Sequence, residues 1–405
     1  MSNFSSTHFN PIPYGKQSIT DDDVDAVCKA LRSEFLTQGP EVEQFEKKFS
    51  EYIGCKFSVA VANGTAALHL SALALNIKPG DRVITTPITF AASANCVRYC
   101  GGEVVFADID PATYLIDIDY LKAMLKKKPK GFYKGVIPVD FSGRAVDMEQ
   151  LRELANEYGL WILEDACHAP GGFFTDSKNI SQKCGNGQYA DLAIFSFHPV
   201  KHIATGEGGM ITTNNLELYK QLLILRTHGI VKDSEKFTNS IDLASGVEDS
   251  GEMKYPGWYM EMQELGFNYR LTDFQAALGV SQLKKANERL ARRREIAGVY
   301  ANAFSNKPYV LQQSGGIPGH AYHLYVINVK DRLGLYNYLR ENNIYTQVHY
   351  IPVHLMPYYR RLGWNKGDFP FAENYYSSCI SLPMYPTLSK EEQDFVINCI
   401  DNFYF

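Results

Sequence analysis

The chain has 405 residues and lacks several common signatures. Its eight cysteines form no C-x-x-C pair, and the nearest two are Cys96 and Cys100. In a chain this long, that scatter reads as free buried thiols in a reducing compartment. There is no excess of positive charge. The net charge of −5 gives no basic field, which argues against a nucleic-acid partner. The opening MSNFSSTHFNPIPYG has no basic segment followed by an apolar run, so it does not read as a signal peptide. No apolar stretch approaches membrane-spanning length, so no membrane partner is expected. No internal repeat or low-complexity tract interrupts the chain. The expectation is a cytoplasmic globular protein of one large and one smaller domain.

What is present is an alternation of strand-like and helix-like segments. Residues 1–19 read as an N-terminal arm, since Pro11 and Pro13 forbid a helix. Thr20 caps a helix with Asp21, Asp22 and Asp23 in its first turn and Val24, Val27 and Leu31 as its apolar stripe. LTQGP (Leu36 to Pro40) breaks it, and a second amphipathic helix turns Val42, Phe45, Phe49 and Tyr52 inward. Strands are expected at 57–62, 81–86, 103–108, 135–139 and 160–163, with helices between them. This order implies an α/β fold, a largely parallel sheet with helices on both faces. Residues 231–258 read as a polar surface excursion. A long helix starts at Leu271-Thr272-Asp273 and runs to about Tyr300, with Arg292, Arg293 and Arg294 as a solvated face. Strands are expected at 321–329 and 346–350 and a helix at 335–342. The boundary is placed near 285, giving a large domain over 20–285 and a small one over 286–405.

Asp191 to Thr213, DLAIFSFHPVKHIATGEGGMITT, is the stretch the rest is organised around. A buried strand ends at Ser196, and one lysine, Lys201, precedes a glycine-rich bend and a second strand. Most loop lysines are solvated, but this one lies between two buried strands. A desolvated lysine has a lowered pKa and serves as an amine nucleophile or proton shuttle. In parallel sheets ligands sit beyond the carboxyl ends of the strands. Gly64, Phe90, Asp165 and Ser196 all fall at such ends. The Gly64-Thr65-Ala66 helix start offers free amides, an anion site. Taken singly, Asp165 reads as a cap, Phe90 as core and Ser196 as a turn hydroxyl. Together they meet the needs of pyridoxal phosphate: an amine for its aldehyde, a carboxylate for its ring nitrogen, a flat aromatic for its face and a cup for its phosphate.

Two other patterns carry no such chemistry. Gly185 to Ala190 matches G-x-G-x-x-A, but it precedes a strand instead of opening a helix. His198 and His202 are separated by Pro199, which spoils a helical metal pair, so no metal is expected.

The motifs Asn63-Gly64-Thr65-Ala66-Ala67-Leu68, Thr89-Phe90, Glu164-Asp165-Ala166, Ser196-Phe197-His198-Pro199-Val200-Lys201, Gly206-Glu207-Gly208-Gly209 and Gly266 to Asp273 together resemble the DegT/DnrJ/EryC1/StrS sugar aminotransferases over nearly the whole chain. The resemblance implies the type I aminotransferase fold and a homodimer with shared active sites. It makes Lys201 the attachment point of pyridoxal 5'-phosphate and then the acid and base. It pairs Asp165 with the ring nitrogen and gives the phosphate to Ser196, Thr65 and the amides around Gly64. Asn268 is expected at the phosphate of the other subunit. His168 stands where many relatives have glutamine beside the cofactor ring. Leu36, Thr37, Gln38 and Gly39, with Gln347, Val348, His349 and Tyr350, match segments that contact the sugar nucleotide. FHPVK, WYMEMQELGFNYRLTD and QVHYIPVH are most similar to transaminases of pseudaminic acid synthesis, which implies L-glutamate and a UDP-linked 4-keto-6-deoxy-N-acetylhexosamine as substrates. The sugar's stereochemistry and a dTDP nucleotide stay open. Sugar dehydratases of the same fold carry histidine at the lysine position, so Lys201 argues against that activity. A noncatalytic domain is disfavoured by the intact Lys201, Asp165 and Ser196.

Overall fold

The computed structural model describes residues 10–248 and 251–405. Its centre is a seven-stranded sheet in the spatial order Phe57–Val61, Gly209–Thr213, Leu192–Ser196, Trp161–Asp165, Gly135–Ile137, Arg82–Thr85, Glu103–Phe106. Gly209–Thr213 runs antiparallel to both its neighbours, and all other pairings are parallel. The strands are near-continuous apolar runs because both faces are covered by helices. The expected α/β class is therefore the observed one.

A second apolar core lies toward the C-terminus. It joins Ile296, Tyr300, Tyr325, Ile327, Leu335, Leu339, Val396 and Ile400 with Ile12 from the N-terminal segment. A three-stranded antiparallel sheet, Val310–Gln313, Tyr325–Val329 and Cys379–Leu382, forms its floor. The expected long helix is two helices, Asp273–Lys284 and Ala286–Ala303, broken at Lys285.

Four further expectations are corrected. The N-terminal segment has structure: Ile12–Pro13 pairs in parallel with Ile344–Tyr345, and Ile12 is fully buried. The first nine residues of the expected arm lie outside the described residues. The strand expected at 346–350 is instead Ile344–Tyr345; beyond it only Gln347 bridges, to Ser381. On the Asp21–Leu31 helix, Val24 and Leu31 are 51% and 53% exposed, while Asp23 is fully buried. Asp23 faces the Asp273–Lys284 helix, where Gln282 Nε2 donates to it at 2.7 Å and Lys285 Nζ at 2.9 Å. Arg293 is not on a solvated face. It is 1% exposed and donates to the carbonyls of Tyr322 at 3.1 Å and Met384 at 2.9 Å. Among the described residues no helix is long and apolar enough to cross a membrane.

Candidate active site

The strand ends converge on a cavity of about 470 Å³. Gly64, Thr65, Phe90, Asp165, His168, Ser196, Lys201, His349 and Tyr350 all line it. This is the space beyond the carboxyl ends of parallel strands, where α/β sheets bind ligands.

Lys201 follows the Leu192–Ser196 strand in a loop that turns back through its amide bond to His198 O at 2.8 Å. Its Nζ lies 3.4 Å from Nε2 of His323. Burial lowers the amine's pKa from the ordinary lysine value, Cys167 and Asp165 oppose that, and Arg293 adds to it. Cys167 itself is held as the neutral thiol, since burial pushes its pKa well up.

Asp165 ends the Trp161–Asp165 strand. Its Oδ2 accepts from Ser93 Oγ at 2.6 Å and its Oδ1 from the Cys167 amide at 3.2 Å. Ser93 comes from the first turn of the Ala91–Tyr99 helix, which starts directly after Phe90. The result is a buried carboxylate facing the cavity, oriented by a hydroxyl and an amide and with no cation within ion-pair distance among the described residues.

The Gly64–Ala74 helix begins where the Phe57–Val61 strand ends. Asn63 caps it, its Oδ1 accepting from Ala66 N at 2.8 Å. The Ala66 amide is therefore already engaged, and the free donors at this helix start are those of Gly64 and Thr65. A Cβ on Gly64 would sit 3.0 Å from Ser196 Cβ, so the glycine lets that helix start lie close against the Ser196 hydroxyl. Two amides, a positive helix end and a hydroxyl form an anion cup.

His168 is buried between two partners. Its Nδ1 accepts from Ser142 N at 3.2 Å, which leaves Nε2 as the protonated nitrogen, facing the Tyr350 hydroxyl at 3.1 Å. Its ring centroid lies 4.3 Å from that of His323, the two planes tilted by 40°. Burial above all drives the pKa values of His168 and His323 well below the usual histidine value, so both are neutral.

The structure does not bring every expected residue here. Asn268 is exposed and bridges to Thr227. Leu36, Thr37, Gln38 and Gly39 sit by the start of the Asp273–Lys284 helix, where Thr37 bridges to Thr272 and Gly39 N donates to Asp273 Oδ2 at 2.8 Å. Gln347 bridges to Ser381, and neither it nor Val348 lines the cavity. Sequence reasoning missed Ser93, Cys167, His323 and Tyr14, all cavity-lining. Ser93 was visible as the one hydroxyl in an alanine-rich helix start. His323 was visible as an imidazole inside an apolar run.

These residues fit pyridoxal phosphate: a desolvated amine, an unpaired carboxylate, an anion cup and an aromatic face, Phe90, that is 61% exposed. The fold and the site together define a pyridoxal-phosphate-dependent aminotransferase. The sequence pattern of the DegT/DnrJ/EryC1/StrS aminotransferase family matches residues 17–401, and the chain belongs to that family. Among curated relatives, the spore coat polysaccharide biosynthesis protein SpsC of Bacillus subtilis is 39% identical over 402 residues, covering 97% of this chain and 96% of SpsC. The UDP-4-amino-4,6-dideoxy-N-acetyl-beta-L-altrosamine transaminase of Campylobacter jejuni is 36% identical over 393 residues, 95% of each chain. Among solved structures, Helicobacter pylori PseC, an aminotransferase of pseudaminic acid biosynthesis, superposes with a TM-score of 0.84 at 29% identity, covering 98% of this chain and 99% of that one. The chain is thus a pyridoxal-phosphate-dependent sugar transaminase.

Proposed function

We propose that the protein moves an amino group from L-glutamate to the 4-keto carbon of a UDP-linked 6-deoxy-N-acetylhexosamine, as a cytoplasmic step of pseudaminic acid synthesis. The observation that carries this reading is the convergence of Lys201, Asp165 and the Gly64–Ser196 cup on one cavity. The bound cofactor supplies an electron sink for both half-reactions. Lys201 holds it and shuttles the proton. Its Nζ takes the proton from Cα of glutamate in the first half and delivers one to C4 of the sugar in the second. Asp165, oriented by Ser93, holds the proton on the ring nitrogen. The amides of Gly64 and Thr65 with the Ser196 hydroxyl hold the phosphate. Phe90 would offer an aromatic face to the ring, and His168, whose Nδ1 accepts from Ser142 N, would present its Nε2–H on the Tyr350 side of the cavity.

The protein works as a homodimer in this reading. Asn268 lies away from its own chain's cavity, and exposed Val24 and Leu31 leave an apolar face uncovered. Asn268 reaches the phosphate in the partner's site. Leu36 to Gly39 and Gln347 to Tyr350 contact the sugar nucleotide. The chain divides into a large lobe over 20–285 and a small one over 286–405.

A second reading is a transaminase for a different nucleotide-linked 4-keto sugar, of the bacillosamine, legionaminic or dTDP type. The greater identity to SpsC than to the altrosamine transaminase favours keeping it. Incubation with glutamate and each keto sugar separates the two. The first reading expects the 4-amino sugar and 2-oxoglutarate in equal amounts from UDP-4-keto-6-deoxy-L-arabino-HexNAc. Turnover of only another nucleotide sugar would replace it with the second.

A further inference from the structure

Arg293 is an anomaly in this fold. A guanidinium is always charged, and a buried one ordinarily pairs with a carboxylate. Its neighbour one helical turn earlier, Arg289, follows that rule: its Nη2 lies 3.9 Å from Asp23, which also pairs with Lys285. Arg293 has no carboxylate within 4 Å among the described residues. It is held by carbonyl oxygens alone, those of Tyr322 at 3.1 Å, His323 at 3.4 Å and Met384 at 2.9 Å. Those carbonyl oxygens all accept from Nη1 and do not cancel the charge.

The position of that charge gives it a use. Arg293, His202 and Lys201 share the lining of one small void of about 10 Å³ with Lys16 and Arg289. A void of that size admits about one water and no counter-anion. Nε of Arg293 and Nδ1 of His202 are buried and make no hydrogen bond among the described residues. His202 is fixed as the neutral tautomer, since its Nε2 donates to Ala321 O at 2.8 Å. Arg293 is also wired to the lysine's front side, because it holds the carbonyl of His323, whose ring touches Lys201.

We propose that Arg293 is a positioning residue for Lys201: its uncompensated buried charge disfavours a second cation beside it and keeps the lysine nitrogen unprotonated and ready to accept a proton. The groups facing Lys201 divide cleanly. Asp165 favours the ammonium. Cys167 would do so only as a thiolate, and burial keeps it a thiol. His168, His202, His323 and His349 are neutral, each with its pKa lowered first by burial. Of the cations lining that void with Lys201, namely Lys16, Arg289 and Arg293, Arg289 pairs with Asp23 and Arg293 has no carboxylate partner among the described residues; Arg293 opposes the ammonium in the same direction as desolvation. This rests on Lys201 being the reacting amine.

The test is the pH midpoint of the Lys201 nitrogen, compared between variants as the cofactor-linked imine by absorbance in the holoenzyme. In the cofactor-free full-length protein it is read by the pH dependence of Lys201 acylation, followed by mass spectrometry. Wild type is expected to titrate below an ordinary lysine. Arg293→Gln should raise the midpoint by about one unit or more, a tenfold loss of free amine for each unit. Arg293→Lys keeps the charge and should leave the midpoint low. An unchanged midpoint in Arg293→Gln, or an ordinary lysine midpoint in wild type, overturns the proposal. If Arg293→Gln does not fold, Arg293→Lys decides: a low midpoint supports the proposal, and a rise to the ordinary value overturns it. Reductive trapping of the cofactor and peptide mapping test Lys201 as the attachment point separately, so the two failures are distinguishable.

Discussion

Ser93 Oγ donates to Asp165 Oδ2 at 2.6 Å, across a buried gap between the start of one helix and the end of one strand. This bond points the carboxylate into the cavity, where its charge is needed. Ser93→Ala should leave the fold intact and loosen the cofactor. A lost bond to a buried charge costs about 1.5–3 kcal/mol, on the order of tenfold or more in affinity. Cofactor titration followed by fluorescence measures this. Unchanged affinity would mean that the Cys167 amide alone orients Asp165.

Lys201→Ala should abolish transamination while leaving the protein folded, because among the described residues no other amine lines the cavity. Turnover near the wild-type level would remove Lys201 from the mechanism. Product formation from glutamate and keto sugar is the measurement.

The sheet and the cup were legible because their signals are local. Apolar runs of strand length and a strand ending at Asn63-Gly64-Thr65 need no distant partner to be read. The errors share a cause: each concerns a residue whose partners are remote in sequence. Arg293 reads as solvated because the carbonyls that hold it belong to residues 322, 323 and 384. Val24 and Leu31 read as an inward stripe because the helix is amphipathic, yet its buried side is set by Asp23 meeting Gln282 and Lys285. Ile12 packs into a core built from residues beyond 295. Ser93 and His323 belong to no motif that spacing alone would mark.

Gly209 begins the antiparallel strand beside the cup. A Cβ there would lie 2.5 Å from the Asn63 carbonyl oxygen and 3.0 Å from the Gly64 amide nitrogen. Both are backbone atoms and cannot swing aside. Gly209→Ala should therefore destabilise by about 1–3 kcal/mol and displace the Gly64–Thr65 amides. The expected result is a lower denaturation midpoint together with weaker cofactor retention. Loss of stability with full retention would separate the strand from the cup.

Asp23 gives a pH dependence with a defined sign. Burial alone would raise its pKa, but hydrogen bonds from Ser281 and Lys285 overcome that and hold it down to about 2. A carboxylate depressed in the folded state contributes stability that is complete above its unfolded value and is lost as pH falls through the folded one. Wild type should lose this contribution between about pH 4 and pH 2, and Asp23→Asn should lack that component of the loss. Unfolding midpoints of the two proteins across that range measure it. Identical slopes would show that the ion pair with Lys285 does not couple to folding.

The most direct measurement is an absorbance spectrum of the purified protein with pyridoxal phosphate, then with L-glutamate, then with UDP-4-keto-6-deoxy-L-arabino-HexNAc. The account predicts a yellow band that bleaches with glutamate and returns with the sugar. No yellow band, even with added cofactor, would contradict the assignment of Lys201 and the cavity around it.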